Sequence, residues 1–364
     1  MLGRHRRADV KDTHTLAAPT MKRVTLDAIS EQSNQAALYA GKSVNRIRKI
    51  TNQMQMLALN AKIEAAKAGQ FGRGFSVVAA EVGLVGEEIN TVAQDIQSIL
   101  SQRLSGLNDM VAQMEKDTLG DRLVDLAFTA VDTIDRNLYE RTCDVRWWAT
   151  DSSFVTALQT MDLSAIAHAT RRLGVILDAY NIYLDLWICD LEGRVIANAR
   201  PNKYDLSNLC VREFSWFKEA VNQVSGDEFS VGEVVKSRAL NDDQCLSYAC
   251  AIRENGDKHG KVLGVMASSF DWEAQARSVV GSLRMDETMA RRNTRVLLID
   301  RQNRVIASSD GLGFLTERIS FPPDADYMSG WYTTDNTLVA YHSTNGFETY
   351  AGLGWKGVVT QDLR

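Results

Sequence analysis

The first third of the chain carries a heptad pattern of apolar residues. Between residues 75 and 99, apolar positions alternate in steps of three and four without a miss: Phe75, Val78, Val82, Val85, Ile89, Val92, Ile96 and Ile99. A looser alternation precedes them at Ala36, Ala40, Ser43, Ile47, Ile50, Met54, Leu57 and Ala61. So narrow a stripe is typical of a coiled-coil seam rather than of the broad apolar face of a globular helix. The pattern predicts two long helices over residues 24–118.

Three glycines within the six residues 69–74 separate the two helices. Glycine adopts the backbone conformations that a tight reversal requires, so we predict an antiparallel helical hairpin with its tip near 69–74. One narrow seam per helix leaves each seam poorly covered within a single hairpin. Pairing two hairpins into a four-helix bundle covers them, which predicts a homodimer. The alternative is a helical pair that folds onto the β-rich part of the same chain.

The pattern remains helical over residues 119–180, which we interpret as a connecting long helix, or two helices. Short β-type runs follow to the end of the chain. The strand–turn–strand pattern at 183–198 recurs at 296–308, where Asp300 corresponds to Asp190. This repeat predicts two α+β modules, at 181–280 and 281–364. Further strands are expected at 228–235, 245–252, 262–270, 338–343, 349–351 and 356–360, and a helical run at 272–292.

Composition narrows the function classes. The chain has 364 residues and a net charge of −5, which argues against a general nucleic-acid binder. Residues 1–23 are basic without an apolar core, so they predict a disordered tail rather than a signal peptide. No apolar stretch approaches the length of a membrane span. Five scattered Cys and five scattered His predict no metal site, we expect no cofactor, and no motif of an enzyme is present.

The hairpin tip carries a specific resemblance. The run from Leu57 to Val82, Leu-Ala-Leu-Asn-Ala-Lys-Ile-Glu-Ala-Ala-Lys-Ala-Gly-Gln-Phe-Gly-Arg-Gly-Phe-Ser-Val-Val-Ala-Ala-Glu-Val, closely resembles the signalling tip of bacterial methyl-accepting chemotaxis proteins. The resemblance implies a dimeric four-helix bundle, its assembly into trimers of dimers, and docking of a CheW-type adaptor and a CheA-type histidine kinase. It implies trimer contacts at Asn60, Glu64 and Phe75, with Lys67 in place of a usual Arg. It implies adaptor or kinase contacts at Arg73, Val77 and Val78.

The chain also departs from this family's pattern. Gly83 stands where the family usually has Arg, and Gln70 where it usually has Glu. Methylation sites in the family are Glu/Gln pairs among small residues, and the candidates here are Glu31 with Gln32 and Glu87 with Glu88. The two pairs do not lie at matching levels of the hairpin when counted from Gln70.

The β-rich part resembles a double Cache sensor, two PAS-like modules behind a long helix. The residues that carry the likeness are Asp190-Leu-Glu-Gly-Arg-Val-Ile-Ala, Arg212-Glu-Phe-Ser-Trp-Phe-Lys-Glu-Ala and the closing Gly352-Leu-Gly-Trp. The resemblance implies a small-molecule pocket in the first module. Its candidates are Arg212 for a carboxylate, Trp216 and Phe217 as walls, and Asp271 for an ammonium. Core packing is the alternative role of the two aromatic residues. Amino-acid-binding members have Arg at the position of Phe214, so an amino-acid ligand is not expected.

The sequence thus predicts a multidomain protein, with an N-terminal all-α coiled-coil hairpin and a C-terminal α+β double Cache domain. The two resemblances together imply a cytoplasmic chemoreceptor-like sensor that is not an enzyme, responds to an unidentified small molecule and signals through its tip. The alternative is a dimeric ligand-binding scaffold without kinase control.

Overall fold

The computed structural model describes residues 26–283, 289 and 292–363, with no side-chain description at position 27. The expected basic tail at 1–23 lies outside the described residues. The chain divides into two compact units, the first ending at Asp117 and the second beginning at Thr118. Helix α2 contributes its first part to one unit and its last part to the other.

Unit one is the predicted antiparallel helical hairpin. Helix α1 runs over Leu26–Lys67, a short 3-10 turn over Gly69–Gly72 reverses the chain, and α2 begins at Arg73 and extends to Trp148. Gly69 has a φ of +61°, a left-handed backbone conformation that residues other than glycine rarely adopt. A Cβ at Gly72 would overlap the Ala65 carbonyl, so the glycine lets the second helix start against the end of the first.

The predicted seam is poorly covered within the single hairpin, as expected, and other residues form the contact between its two helices. Small residues are buried instead, at heptad spacing: Thr51, Ala58 and Ala65 in α1, Gly72 at the end of the 3-10 turn, and Ala79, Gly86 and Ala93 in α2. Most of the predicted seam is exposed, including Ile47, Ile50, Leu57, Phe75, Val78, Val85, Val92, Ile96 and Ile99. Small side chains let two helix backbones approach closely, which leaves the larger apolar stripe on the outside of the hairpin.

The connecting region of unit two contains three helices rather than the expected one or two. After α2 ends at Trp148, α3 spans Ser152–Thr160 and α4 spans Leu163–Asp178. Asp151 and Asp162 cap the second and third helices by accepting hydrogen bonds from backbone N–H groups of their first turns. Two capping aspartates in this region mark the breaks that apolar periodicity alone did not show.

The first module is an antiparallel sheet with strand order β2-β1-β6-β5-β3, and β4 also pairs with β5. Its strands are β1 Tyr183–Asp190, β2 Val195–Asn198, β3 Ser230–Val231, β4 Val235–Ser237, β5 Asp243–Arg253 and β6 Val262–Asp271. Helix α5, Ser215–Val221, packs on this sheet. The single strand expected over 228–235 is wrong, because the chain there forms two short edge strands.

The second module repeats the arrangement, with strand order β8-β7-β11-β10-β9. Its strands are β7 Arg295–Ile299, β8 Val305–Ser308, β9 Ser329–Thr334, β10 Thr337–Ser343 and β11 Lys356–Asp362. The strand expected at 349–351 is wrong, and the edge strand is β9 instead. Helix α6, Trp272–Ser282, precedes this module, and the rest of the expected helical run reaches residues outside the description.

The internal repeat has the same hydrogen bonds in both copies. In the first, the Asp190 carboxylate accepts from the Arg194 backbone N–H at 2.9 Å and from Arg194 Nε at 2.7 Å. In the second, Asp300 accepts from the same atoms of Arg304 at 2.9 and 2.6 Å. Arg304 also donates through Nη2 to Glu233 of the first module, at 3.0 Å. The repeat seen in the sequence is therefore one clamped β-turn, built twice.

Three buried clusters form the core of unit two. The largest joins the last part of α2, α3, α4 and α6 to one face of each sheet. A second cluster lies between the first sheet and α5, and a third lies on the corresponding face of the second sheet. Among the helices in the described part of the chain, none combines the length and the apolar character that crossing a bilayer demands.

Candidate signalling tip and sensor site

Every predicted partner residue of the tip is exposed: Asn60, Glu64, Lys67, Arg73, Phe75, Val77 and Val78. Lys67 Nζ donates to Glu64 Oε2 at 3.1 Å, an exposed pair one turn apart on α1. The hairpin thus presents charged and apolar side chains together where the chain reverses. An exposed ion pair of this kind contributes little to stability, so its side chains remain available to a partner.

Sequence reasoning missed the most exposed apolar residue at the apex. Phe71 lies in the 3-10 turn and is 96% exposed. It follows Gln70 inside the glycine-rich break, whose glycines indicated a reversal of the chain but not an exposed aromatic side chain. With Phe75, Val77 and Val78 it forms the tip patch, an exposed apolar surface at the end of the hairpin. Large apolar patches on soluble proteins are typical of interaction sites.

The methylation candidates are also exposed. Glu31 and Gln32 lie on α1, where Gln35 Nε2 donates to Glu31 Oε1 at 3.5 Å. Glu87 and Glu88 lie on α2, and the Glu87 carbonyl accepts from Thr91 Oγ1 at 3.1 Å. Exposure permits modification, but it does not distinguish these carboxylates from the other exposed acidic residues of the hairpin.

The sensor candidates separate into a buried pair and two peripheral residues. Trp216 and Phe217 lie on α5 in the second core cluster, with their ring centroids 6.1 Å apart, and Trp216 lies 6.4 Å from Trp187. Arg212 is exposed. Asp271 caps α6, where its Oδ1 accepts from the Ala274 N–H at 3.2 Å. Within the described residues, no hydrogen bond or ring contact joins either charged residue to the aromatic pair.

A buried polar network beside this cluster was also missed. Asp185 is buried in β1 and accepts from Trp187 Nε1 at 3.1 Å, from Asn198 Nδ2 at 2.8 Å and from the Arg200 backbone N–H at 3.0 Å. Burial raises the pKa of Asp185, and these donors oppose the rise. Asn198 also donates to the carbonyl of Tyr204 at 3.2 Å. A single Asp inside the apolar run 183–189 was the signal that could have found it.

Tyr204 connects this network to charged residues beside the first sheet. Its hydroxyl donates to Asp243 Oδ2 at 3.3 Å, and Lys203 Nζ lies 4.6 Å from its ring centroid. The neighbouring Tyr204 side chain raises the pKa of Lys203, and the charges of Asp243 and Asp271 raise it further. Asp271 therefore belongs electrostatically to a group of mixed charge near Tyr204.

Comparisons with known proteins find similarity for both parts of the chain. Residues 11–146 match the family model of the methyl-accepting chemotaxis protein signalling domain. Transducer protein Htr18 of Halobacterium salinarum is 40% identical over 95 residues, 26% of this chain and 11% of its own length. Methyl-accepting chemotaxis protein McpN of Pseudomonas aeruginosa is 40% identical over 97 residues, 24% of this chain and 18% of its own length. The match thus spans less than a fifth of either relative.

The fold of unit two also has a solved counterpart. The sensory domain of the Campylobacter jejuni chemoreceptor Tlp3 superposes with a TM-score of 0.51 at 14% identity, covering 68% of this chain and 94% of that domain. At this identity the likeness concerns the fold alone. It confirms the Cache-like architecture that the sequence predicted. Residues 11–146 are thus similar to the signalling domain of methyl-accepting chemotaxis proteins, and unit two has a Cache-like fold.

Proposed function

We propose that this protein is a dimeric chemoreceptor-like transducer, not an enzyme, that senses a small molecule through unit two and signals through the tip patch. A CheW-type adaptor and a CheA-type histidine kinase are its proposed partners, and trimers of dimers its proposed assembly. Because signalling tips of this family act on cytoplasmic partners, we place the protein in the cytoplasm. The observation that carries the proposal is the exposed, family-specific tip together with the exposed apolar stripe.

The stripe supports dimerisation on physical grounds. Phe75, Val78, Val85, Val92, Ile96 and Ile99 recur at seam spacing, yet all are exposed in the single hairpin. Covering such a stripe with a second copy removes apolar area from water, at roughly 25 cal/mol per Å². The small residues already hold each hairpin together, so pairing needs no rearrangement within it.

Analytical ultracentrifugation of the full chain tests the dimer. We expect the double variant Val85→Asn and Val92→Asn to weaken association at least about 100-fold, since it removes four stripe side chains from each dimer. Leu84→Asn is the matched control, because Leu84 is exposed on the same helix but outside the stripe. Monomeric wild type at micromolar concentration would refute the dimer, as would equal effects of both changes.

Retention of purified adaptor and kinase by the immobilised chain tests the tip. We expect Arg73→Glu to lower adaptor retention at least about tenfold, because it reverses a charge beside the tip patch. Arg103→Glu is the control, since Arg103 is exposed on α2 but distant in sequence from the apex. If the wild-type chain retains neither protein, the scaffold without kinase control is favoured, as Gly83 in place of a family Arg already suggests.

A thermal-shift screen of the full chain against metabolites tests sensing. Ligand that binds only the folded state raises the melting temperature. We propose that the ligand lies beside Trp216 and Phe217 and within reach of Arg212 and Asp271. Trp216→Leu and Arg212→Gln should then abolish the shift given by an active compound. If both variants respond as the wild type does, the ligand occupies another place.

A further inference from the structure

A cavity of about 340 Å³ lies in unit two, away from the second core cluster. It opens between the last turns of α2, the segment 226–227 and the turn that joins β5 to β6. We name it the arginine cavity, because Arg146 of α2 and Arg253 of β5 both line it. Its volume is at the lower end of the range found for small-molecule pockets.

Arg253 carries a buried charge without a carboxylate partner. It is only 6% exposed, and within the described residues no ion pair reaches it. Its Nη1 donates to the Gly260 carbonyl at 2.9 Å and its Nη2 to the Gln223 carbonyl. Its Nε is buried and has no hydrogen-bond partner in the described part of the chain. A buried charge is costly unless it is paired, so this guanidinium is suited to accept an anion.

Arg146 presents a second guanidinium held only by neutral groups. Its Nε donates to the Thr142 carbonyl at 2.8 Å, its Nη1 to the Asp227 carbonyl at 3.2 Å and its Nη2 to Cys143 Sγ at 3.5 Å. The carboxylate of Asp227 itself is ion-paired with Lys258. These contacts fix the arginine in place, and within the described residues no ion pair reaches its guanidinium, with the Asp227 carboxylate in electrostatic reach of it.

Both arginines line the cavity together with Cys250. Burial raises the pKa of Cys250 to about 12, and both Arg146 and Arg253 oppose that rise, so both lie within electrostatic reach of its Sγ. Acidic residues also line the cavity, but Asp227 is paired with Lys258 and Asp257 is exposed. The inner wall of the cavity is therefore positive.

We propose that the arginine cavity binds a small organic anion, a carboxylate or a phosphate monoester, between Arg146 and Arg253. The planar guanidinium fork matches both kinds of group in bidentate geometry. The bound anion would join the end of α2 to the β5–β6 turn. This site is distinct from the ligand position proposed beside Trp216 and does not depend on the signalling role.

Thermal shift of the full chain with sodium succinate, glycerol 2-phosphate or inorganic phosphate at 10 mM tests the site, against sodium chloride at equal ionic strength. We expect at least one of the anions to raise the melting temperature by about 3 °C or more. A response to succinate alone identifies a carboxylate ligand, and a response to the phosphates alone identifies a phosphate ligand. If no anion exceeds chloride, the proposal is wrong.

Cysteine alkylation locates the binding. Cys143 lines the cavity, whereas Cys210 is exposed elsewhere and serves as an internal control. The active anion should slow alkylation of Cys143 at least about fivefold and leave Cys210 unchanged. Arg146→Gln should abolish both responses, and Arg171→Gln, an exposed arginine of α4, should keep them. Equal responses of the two variants would overturn the assignment, and Arg146 is used because Arg253 is too deeply buried for a safe substitution.

Discussion

The two units of the chain bury opposite kinds of side chain. Unit two encloses large residues such as Phe154, Leu186 and Trp272. Unit one, over its described residues, encloses mostly small ones and leaves Leu57, Phe75 and Ile99 exposed. Hydrophobic stabilisation grows with the apolar area removed from water, so unit two has a sufficient core of its own. Unit one gains little hydrophobic stabilisation from its own fold. Covering its exposed stripe would therefore stabilise it further.

The largest expected difference in stability between the units comes from truncating one leucine in each. Leu186→Ala leaves a cavity in the core of unit two and should cost about 2–5 kcal/mol of unfolding free energy. The matched change in unit one, Leu84→Ala, removes an exposed side chain and should cost within about 0.5 kcal/mol. Denaturant titration of both variants measures the difference. Similar losses would show that unit one depends on its large residues as unit two does.

Charge burial provides the second contrast, since the buried charged residues of the described chain all lie in unit two. Asp135 of α2 accepts from the Gly346 N–H at 2.8 Å, and burial raises its pKa from 3.8 to about 6. Between these values the folded state keeps a proton that the unfolded state releases. Stability should therefore fall as the pH rises from 4 to 6, by as much as about 3 kcal/mol, and then level off.

Asp135→Asn isolates this effect because the amide does not titrate and still offers an oxygen to Gly346. Denaturant titrations between pH 4 and 7.5 should show the wild-type stability falling relative to the variant across that window. Asp125→Asn is the control, since Asp125 is an exposed carboxylate on the same helix. Parallel pH profiles for wild type and Asp135→Asn would contradict the prediction.

The smallest expected effect concerns the small buried residues between the two helices of unit one. Gly72→Ala places a Cβ against the Ala65 carbonyl and should destabilise the hairpin by about 1–3 kcal/mol. Gly74→Ala is the matched control, because a Cβ there meets open space and alanine favours a helix over glycine. Thermal loss of helical circular dichroism distinguishes the two. Equal melting of both variants would mean that the close approach at Gly72 is unimportant.

The sequence predicted those parts of the molecule whose signals are local. The glycine-rich break and the heptad steps around it were sufficient for the hairpin, and the repeated phrase at Asp190 and Asp300 was sufficient for two modules. The heptad steps also predicted an apolar stripe along the hairpin, most of which is exposed in the single chain. A heptad pattern shows which residues share a helix face, but it does not show whether the chain's own second helix or another surface covers that face.

Other features depend on distant parts of the chain and escaped prediction. Asp135 is buried by the loop at Gly346, more than 200 residues later, and nothing near it in sequence announces this. Strand β9 contains Ser, Gly and Thr around its two aromatic residues, so its β pattern is weak. Trp216 and Phe217 were named as pocket walls or as core, and their place in a buried cluster leaves the pocket a proposal.

The clamped β-turn makes different contacts in its two copies, and only the second copy bonds to the other module. In the first copy, Arg194 Nη2 reaches Glu192 within its own turn, at 3.3 Å. In the second, position 302 is Gln, and the same nitrogen of Arg304 reaches Glu233 of the neighbouring module instead. The second turn thus lacks the negative charge of Glu192, and its arginine bonds to a residue outside the turn. The same type of turn is therefore tied to itself in the first module, whereas in the second it also links the two modules.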